Sequence, residues 1–386
     1  MKQKLITLLF VFTVINMVAQ TTASGDNIVT NKVLTPIAKV PLDIDAILIY
    51  DYDGILTSYN LDAETINWTV KATNAFTEMC ANGVTLHDGV VYVPFINGEI
   101  FAVDNQDGNI FWKSRIGNIN DQIVLKDQTP IISNGKLFIT SQNENSSIYA
   151  LNLKDGSLAW SFKLDSPINH TSVFSLGNKV FTESGTTFYS FDANTGKVLS
   201  QRSFEQPMSG KPVTDGENVI VANEKDVLFA LNPNNFETAW QFKLAENQHN
   251  IKDRIFCKDK MVYFAAQGTQ VSSVYAVDTK TGTQLWKTDF KDDNIQYITQ
   301  QDETLWGYTK KGKLFQIHLE RGEIVFQAKL TTAPVSNIEF PDVESIFYYC
   351  DAGLIQYEIE SKDENMVFMR TSIKDDVYSA NLKIIK

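Results

Sequence analysis

YALNLKDGSLAW, residues 149–160, and YAVDTKTGTQLW, residues 275–286, are two copies of one unit. FAVDNQDGNIFW (101–112) and FALNPNNFETAW (229–240) are two more, and degenerate copies stand at Thr57–Trp68, Tyr189–Ser200, Phe315–Phe326 and Tyr357–Phe368. Their last positions recur about every 43 residues, the period of a four-stranded propeller blade. Within a copy, Tyr149 and Leu151 alternate with smaller residues as a strand requires, and the Asp-Gly that follows closes a turn, since glycine supplies a positive φ. A further strand then carries the Trp.

Ahead of each copy lies a second hairpin signal, such as SNGKLFI from Ser133 or KDKMVYF from Lys258, preceded by a short apolar run. Each unit is therefore an A-B-C-D meander that cannot bury both faces alone and must stack on its neighbours. The expected fold is all-β: an eight-bladed β-propeller of four-stranded antiparallel blades over residues 35–373. Residues 20–34 form a lead-in and 374–386 a C-terminal segment; either Ile28–Leu34 or Val377–Ile385 closes the ring.

The 386 residues are 43% apolar and 21% charged, enough to bury a large core. Acidic groups outnumber basic ones, 46 to 34, for a formal charge of -12, so a phosphate backbone is repelled and nucleic acid is excluded as a partner. Met1 to Ala19 reads as a signal peptide, with Lys2 and Lys4 ahead of an apolar stretch, and cleavage falls after Ala19 or as late as Ala23. Three cysteines, Cys80, Cys257 and Cys350, are too far apart for a disulfide framework and read as small strand residues. A periplasmic or secreted chain without a transmembrane segment is expected.

From the first residue of the C strand to the Trp position the spacing is constant, whereas the D-to-A and B-to-C connections vary in length. In a meander those two connections emerge on the same face, where a rigid propeller carries recognition. The richest connecting segments supply the candidate binding residues: Arg115, Asn120 and Asp121 from 113–128, and His249, Asn250, Lys252 and Arg254 from 243–254. They are polar, mixed in charge and suited to hydrogen bonding.

Chemistry is sparse. The four histidines, His87, His170, His249 and His318, have no pair at ligand spacing, so no metal site is expected. No nucleophile elbow, phosphate loop or zincin motif occurs, and no catalytic residue is assigned. Asp51 and Asp53 before Gly54 read as a turn.

An apolar strand ending in Asp or Asn, then Thr-Gly or Asp-Gly, then Trp, resembles the tryptophan-docking repeat of the quinoprotein-like propeller superfamily. The likeness covers roughly residues 35–373. It implies that Trp68, Trp112, Trp160, Trp240 and Trp286 dock adjacent blades, and that Ser200, which departs from the motif, packs least well. It also implies two functions. Quinone-dependent dehydrogenases of the superfamily hold pyrroloquinoline quinone and calcium on the axis, commonly beside adjacent cysteines; Cys80, Cys257 and Cys350 are never adjacent, so no cofactor is expected. Compact members similar in length act in outer-membrane protein assembly as lipid-anchored scaffolds; this chain lacks their lipid-accepting cysteine. The expectation is an exported, non-catalytic scaffold that binds a cell-envelope protein through the variable face, with room for peripheral membrane association through that partner. The alternative is a quinone-dependent or carbohydrate-binding propeller with an axial site.

Overall fold

The structure, a computed structural model, describes residues 46–73, 82–117, 123–142, 146–166, 173–245, 248–369 and 379–385; the side chains of 248–250 and 252–254 are not described. The signal segment 1–19, the lead-in 20–34 and Cys80 lie outside these residues. Among the described residues the strands form eight antiparallel sheets, seven of four strands and one of three, each a blade of an eight-bladed propeller.

Blade 3 shows the pattern: Ile131–Ser133, Lys136–Thr140, Ser147–Asn152 and Leu158–Lys163 are strands A to D in simple succession. First strands of successive blades touch one another, so they ring the axis, and the D strands form the rim. The B and C strands are buried on both faces, while D strands alternate exposed and half-buried residues. Among the described residues the apolar side chains form no central core. They separate into eight clusters, each between two blades, as for Phe138, Ile148 and Ala150 of blade 3 against Val180, Tyr189 and Phe191 of blade 4.

Each docking tryptophan reaches the C-D turn of the next blade. The indole Nε1 of Trp68, Trp112, Trp160, Trp240 and Trp286 donates to the carbonyls of Asn105, Leu153, Ala193, Thr279 and Leu319 at 2.5–3.0 Å. The ring lies on the turn glycine, respectively Gly108, Gly156, Gly196, Gly282 and Gly322. At Gly156, with φ 69°, an added Cβ would stand 2.5 Å from Trp112 Cε3, so both the conformation and the space demand glycine.

The expected weak joint at Ser200 is filled from the opposite side. At the turn position facing Ser200 the glycine is replaced by Phe236, fully buried and packed 5.0 Å from Phe188 and 6.1 Å from Phe181. The carbonyl of Pro233, which an indole would have served, accepts instead from Lys179 Nζ at 3.0 Å. Ser200 Oγ donates to the Asn234 carbonyl at 2.5 Å. The two other turn positions without glycine, Lys362 and Glu64, likewise follow blades without the tryptophan.

The eighth copy is two residues out of phase with the sequence alignment. Its turn bonds, Glu358 N to Asp363 O at 3.0 Å and Lys362 N to Glu358 O at 2.8 Å, match Asn152 N to Ser157 O and Gly156 N to Asn152 O in blade 3. The Trp position is therefore Met366, and Phe368 packs instead on Tyr59 of blade 1, with centroids 5.3 Å apart.

Ala380–Ile385 pairs antiparallel with Ala46–Asp51 and supplies the innermost strand of blade 1. Blade 8 has three regular strands; its inner place is taken by the segment around Glu339, which exchanges backbone hydrogen bonds with Phe347 at 2.8 and 2.9 Å. Asn337 pins the joint: its side-chain amide donates to Leu382 O at 2.9 Å and accepts from Leu382 N at 2.7 Å.

Candidate interaction face

The two sides of the disc are built differently. On one side lie the A-B and C-D turns, the latter held in blades 1, 2, 4, 5 and 6 by an Asp or Asn that accepts hydrogen bonds from the residues after it. Asp278 Oδ1 accepts from Lys280 N, Thr281 N and Thr281 Oγ1 at 3.0, 2.7 and 2.8 Å. Those bonds, the Thr281 hydroxyl first, hold the Asp278 carboxyl below the usual carboxylate range, and the Thr195 hydroxyl does the same for Asp192.

The D-to-A and B-to-C connections occupy the opposite side. Here the rim strands end, and six of them end on an exposed cation: Lys71, Arg115, Lys163, Lys243, Lys291 and Lys329. This series escaped the sequence reading because the repeat was traced only as far as the Trp. The signal was present in five of the six, where Lys or Arg stands three residues after it.

The candidate residues divide. Arg115 is exposed at the end of Ile110–Arg115, across from Glu99, whose Oε2 accepts from Thr73 N and Asn97 Nδ2 at 2.8 and 3.0 Å. Asn120 and Asp121 lie outside the described residues. His249, Asn250, Lys252 and Arg254 are not in a connection: the backbone of Gln248–Lys258 is the innermost strand of blade 6, beside Met208–Thr214 of blade 5. Its strand character was hidden because the register slips between His249 and Ile251 and again between Ile251 and Ile255, which destroys the period of two. The structure thus brings these four together on one axial strand and leaves Arg115 on the rim.

Asn82 was missed. It is fully buried and joins three connections, donating to Pro94 O and Leu125 O at 3.1 and 3.0 Å and accepting from Gln128 N at 2.9 Å. A lone Asn in a polar segment gives no sequence signal of such a role. The variable face is consequently rigid where Asn82 ties it.

No reactive constellation stands out among the described residues. His87 faces Asp88 at 3.3 Å in an exposed turn, and His318 Nδ1 accepts from Glu320 N at 3.3 Å. Burial, then the charge of Asp215, pushes the Cys257 thiol up to about 12, so it stays protonated near neutral pH. No three His, Cys, Asp or Glu side chains among the described residues come together as metal ligands. The adjacent cysteines that quinone enzymes set against their cofactor have no counterpart in this sequence.

The family model described as outer membrane protein assembly factor BamB matches the chain over residues 7–147, 144–271 and 270–361. BamB of Moranella endobia (strain PCIT) is 24% identical over 177 residues, 44% of this chain and 43% of that protein. BamB of Escherichia coli (strain K12) is 26% identical over 148 residues, 36% of this chain and 34% of that protein. The chain thus spans less than half the length of these curated relatives. Among solved structures, BamB from Moraxella catarrhalis superposes with TM-score 0.62 at 17% identity, covering 79% of this chain and 91% of that one. Quinohemoprotein alcohol dehydrogenase from Comamonas testosteroni gives TM-score 0.61 at 12% identity, covering 78% and 70%. At these identities the structural likenesses show the fold alone.

Proposed function

Because the chain belongs to the family of outer membrane protein assembly factor BamB, we infer that it is an exported, non-catalytic scaffold that holds another cell-envelope protein against its variable face. The observation that carries this reading is the family match along nearly the whole propeller. It is supported by the build of the molecule: eight interblade layers fix the disc, and Asn82 stiffens the connections, so a partner meets a surface that loses little entropy on binding. Export rests on the signal-like residues 1–19. Cofactor-free binding rests on the missing cysteine pair. Arg115 and the residues His249, Asn250, Lys252 and Arg254 of the innermost strand of blade 6 are the proposed contacts, with Asn120 and Asp121 near Arg115 in sequence.

The test is photo-crosslinking in intact cells from Arg115 and Lys225, both exposed on the variable face, with Lys154 and Lys280 on the opposite face as controls. An envelope protein captured from the first pair and not from the second is expected. Capture of no protein from either pair overturns the reading. Reduction of a dye by purified protein given pyrroloquinoline quinone and calcium would move it to the dehydrogenases.

A further inference from the structure

Blade 7 carries a concentration of positive charge unlike the rest of an acidic chain. Its B-to-C connection reads Thr309-Lys310-Lys311-Gly312-Lys313, and its rim strand Ile324–Lys329 returns a fourth lysine to the same place. Lys329 Nζ donates to the carbonyl of Lys311, and Lys311 Nζ to that of Asp292, so the turn and the strand end are tied together. Lys310, Lys311 and Lys329 are exposed and Lys313 half-buried. None of the four forms an ion pair with a carboxylate among the described residues. Of the acids beside the cluster, Asp293 Oδ1 is taken up by the amides of Asn294 and Lys311 at 3.0 and 3.1 Å, and Glu364 Oε1 accepts from Thr331 N at 2.6 Å.

The strand that ends in this cluster is a sheet edge. Ile324–Lys329 pairs only with Lys313–His318, and its outward row runs Val325, Gln327, Lys329, with Val325 49% and its neighbour Ile324 37% exposed. Lysine at an edge discourages self-pairing, yet an incoming strand with acids opposite the lysines meets both free backbone groups and complementary charge. The shape of the charge also selects the partner. A flat anionic bilayer would bring the carboxylates of this face, among them Asp127, Asp165, Glu205 and Asp226, within a Debye length of about 8 Å of its headgroups. A single extended chain would not.

We propose that the lysine cluster of blade 7 and the edge strand Ile324–Lys329 dock an extended acidic segment of a protein, with apolar residues alternating with its acids. This rests on the scaffold reading above and names the chemistry of what is held. Binding of a fluorescein-labelled peptide of roughly eight residues alternating Glu and Val to the full chain is followed by anisotropy. The expected result is binding that weakens from about 50 to about 300 mM salt and falls about tenfold in Lys310→Glu/Lys311→Glu, with a cooperative melting curve showing that the variant is folded. A Lys-Val peptide should not bind.

Peptide affinity indifferent to the double substitution, or phosphatidylglycerol vesicles bound as tightly as the peptide, would overturn the proposal. So would photo-crosslinks to a partner from Arg115 with none from Gln327, and that outcome leaves the scaffold reading standing.

Discussion

Phe236 holds φ 59°, a conformation that costs a non-glycine residue roughly 1–2 kcal/mol, because its ring replaces the indole missing at Ser200. Every tryptophan in the series faces a turn glycine and every other residue faces something larger, so wedge and turn behave as one unit split between two blades. Phe236→Gly should therefore cost about 3 kcal/mol, the loss of a buried ring less the relieved backbone. Adding Ser200→Trp should recover much of it, since the indole then finds a glycine and the Pro233 carbonyl. A double-mutant cycle by urea denaturation measures the coupling, and additive effects would rule the unit out. The five docking tryptophans were legible in the sequence because glycine and Trp recur in phase. The compensation at Ser200 was not, since Phe in a turn reads only as a degenerate glycine, and nothing local shows which blade it faces.

The C-D turn is the most repeated element, and its anchoring residue is Asn in blades 1, 3 and 5 and Asp in blades 2, 4 and 6. Where it is Asp278 the folded carboxyl titrates below its unfolded value near 4. A depressed value means that the carboxylate stabilises the fold above the unfolded pKa and that this contribution is lost as pH falls through the folded one. Asp278→Asn should leave stability at pH 7 nearly unchanged and make the decline below about pH 4 shallower; urea midpoints measured across that range check it, and an unchanged slope would speak against the turn as a source of acid sensitivity. At this scale the C and D strands were readable from alternation. The inner strands were legible only as short apolar runs such as residues 130–132, because Thr85–His87, Ile131–Ser133 and Phe174–Leu176 are three residues long, and Gln248–Lys258, long but bulged, read as a connection.

Taken whole, the molecule is a ring whose closure depends on contacts between residues far apart in sequence, which slows folding. Asn337 replaces a strand partner for Leu382, so Asn337→Ala strands a buried amide and a carbonyl and should cost about 2–4 kcal/mol. Hydrogen exchange should then quicken first at Leu382 and Ile384, and unchanged protection there would show that the strand is held by Ala46–Asp51 alone. The eight-fold architecture followed from the repeat, but which segment closes it did not, because two apolar segments were equally suited and only the pairing with Ala46–Asp51 distinguishes them. The binding face was legible in part: length variation marked the side, while the lysines of blade 7 stand in a connection of ordinary length.

Blade 8 has three regular strands, and neither of its joints carries a docking indole: Phe326 meets Lys362 on one side, and on the other the Trp position is Met366 and the turn position Glu64. Mechanically this makes the disc a hoop with one soft sector. A partner that pulls on the rim would spread the hoop there first, opening it into a curved strip while the five indole joints stay shut. The edge strand bearing Lys329 borders that sector, so load applied at the lysine cluster falls beside the joint most able to give.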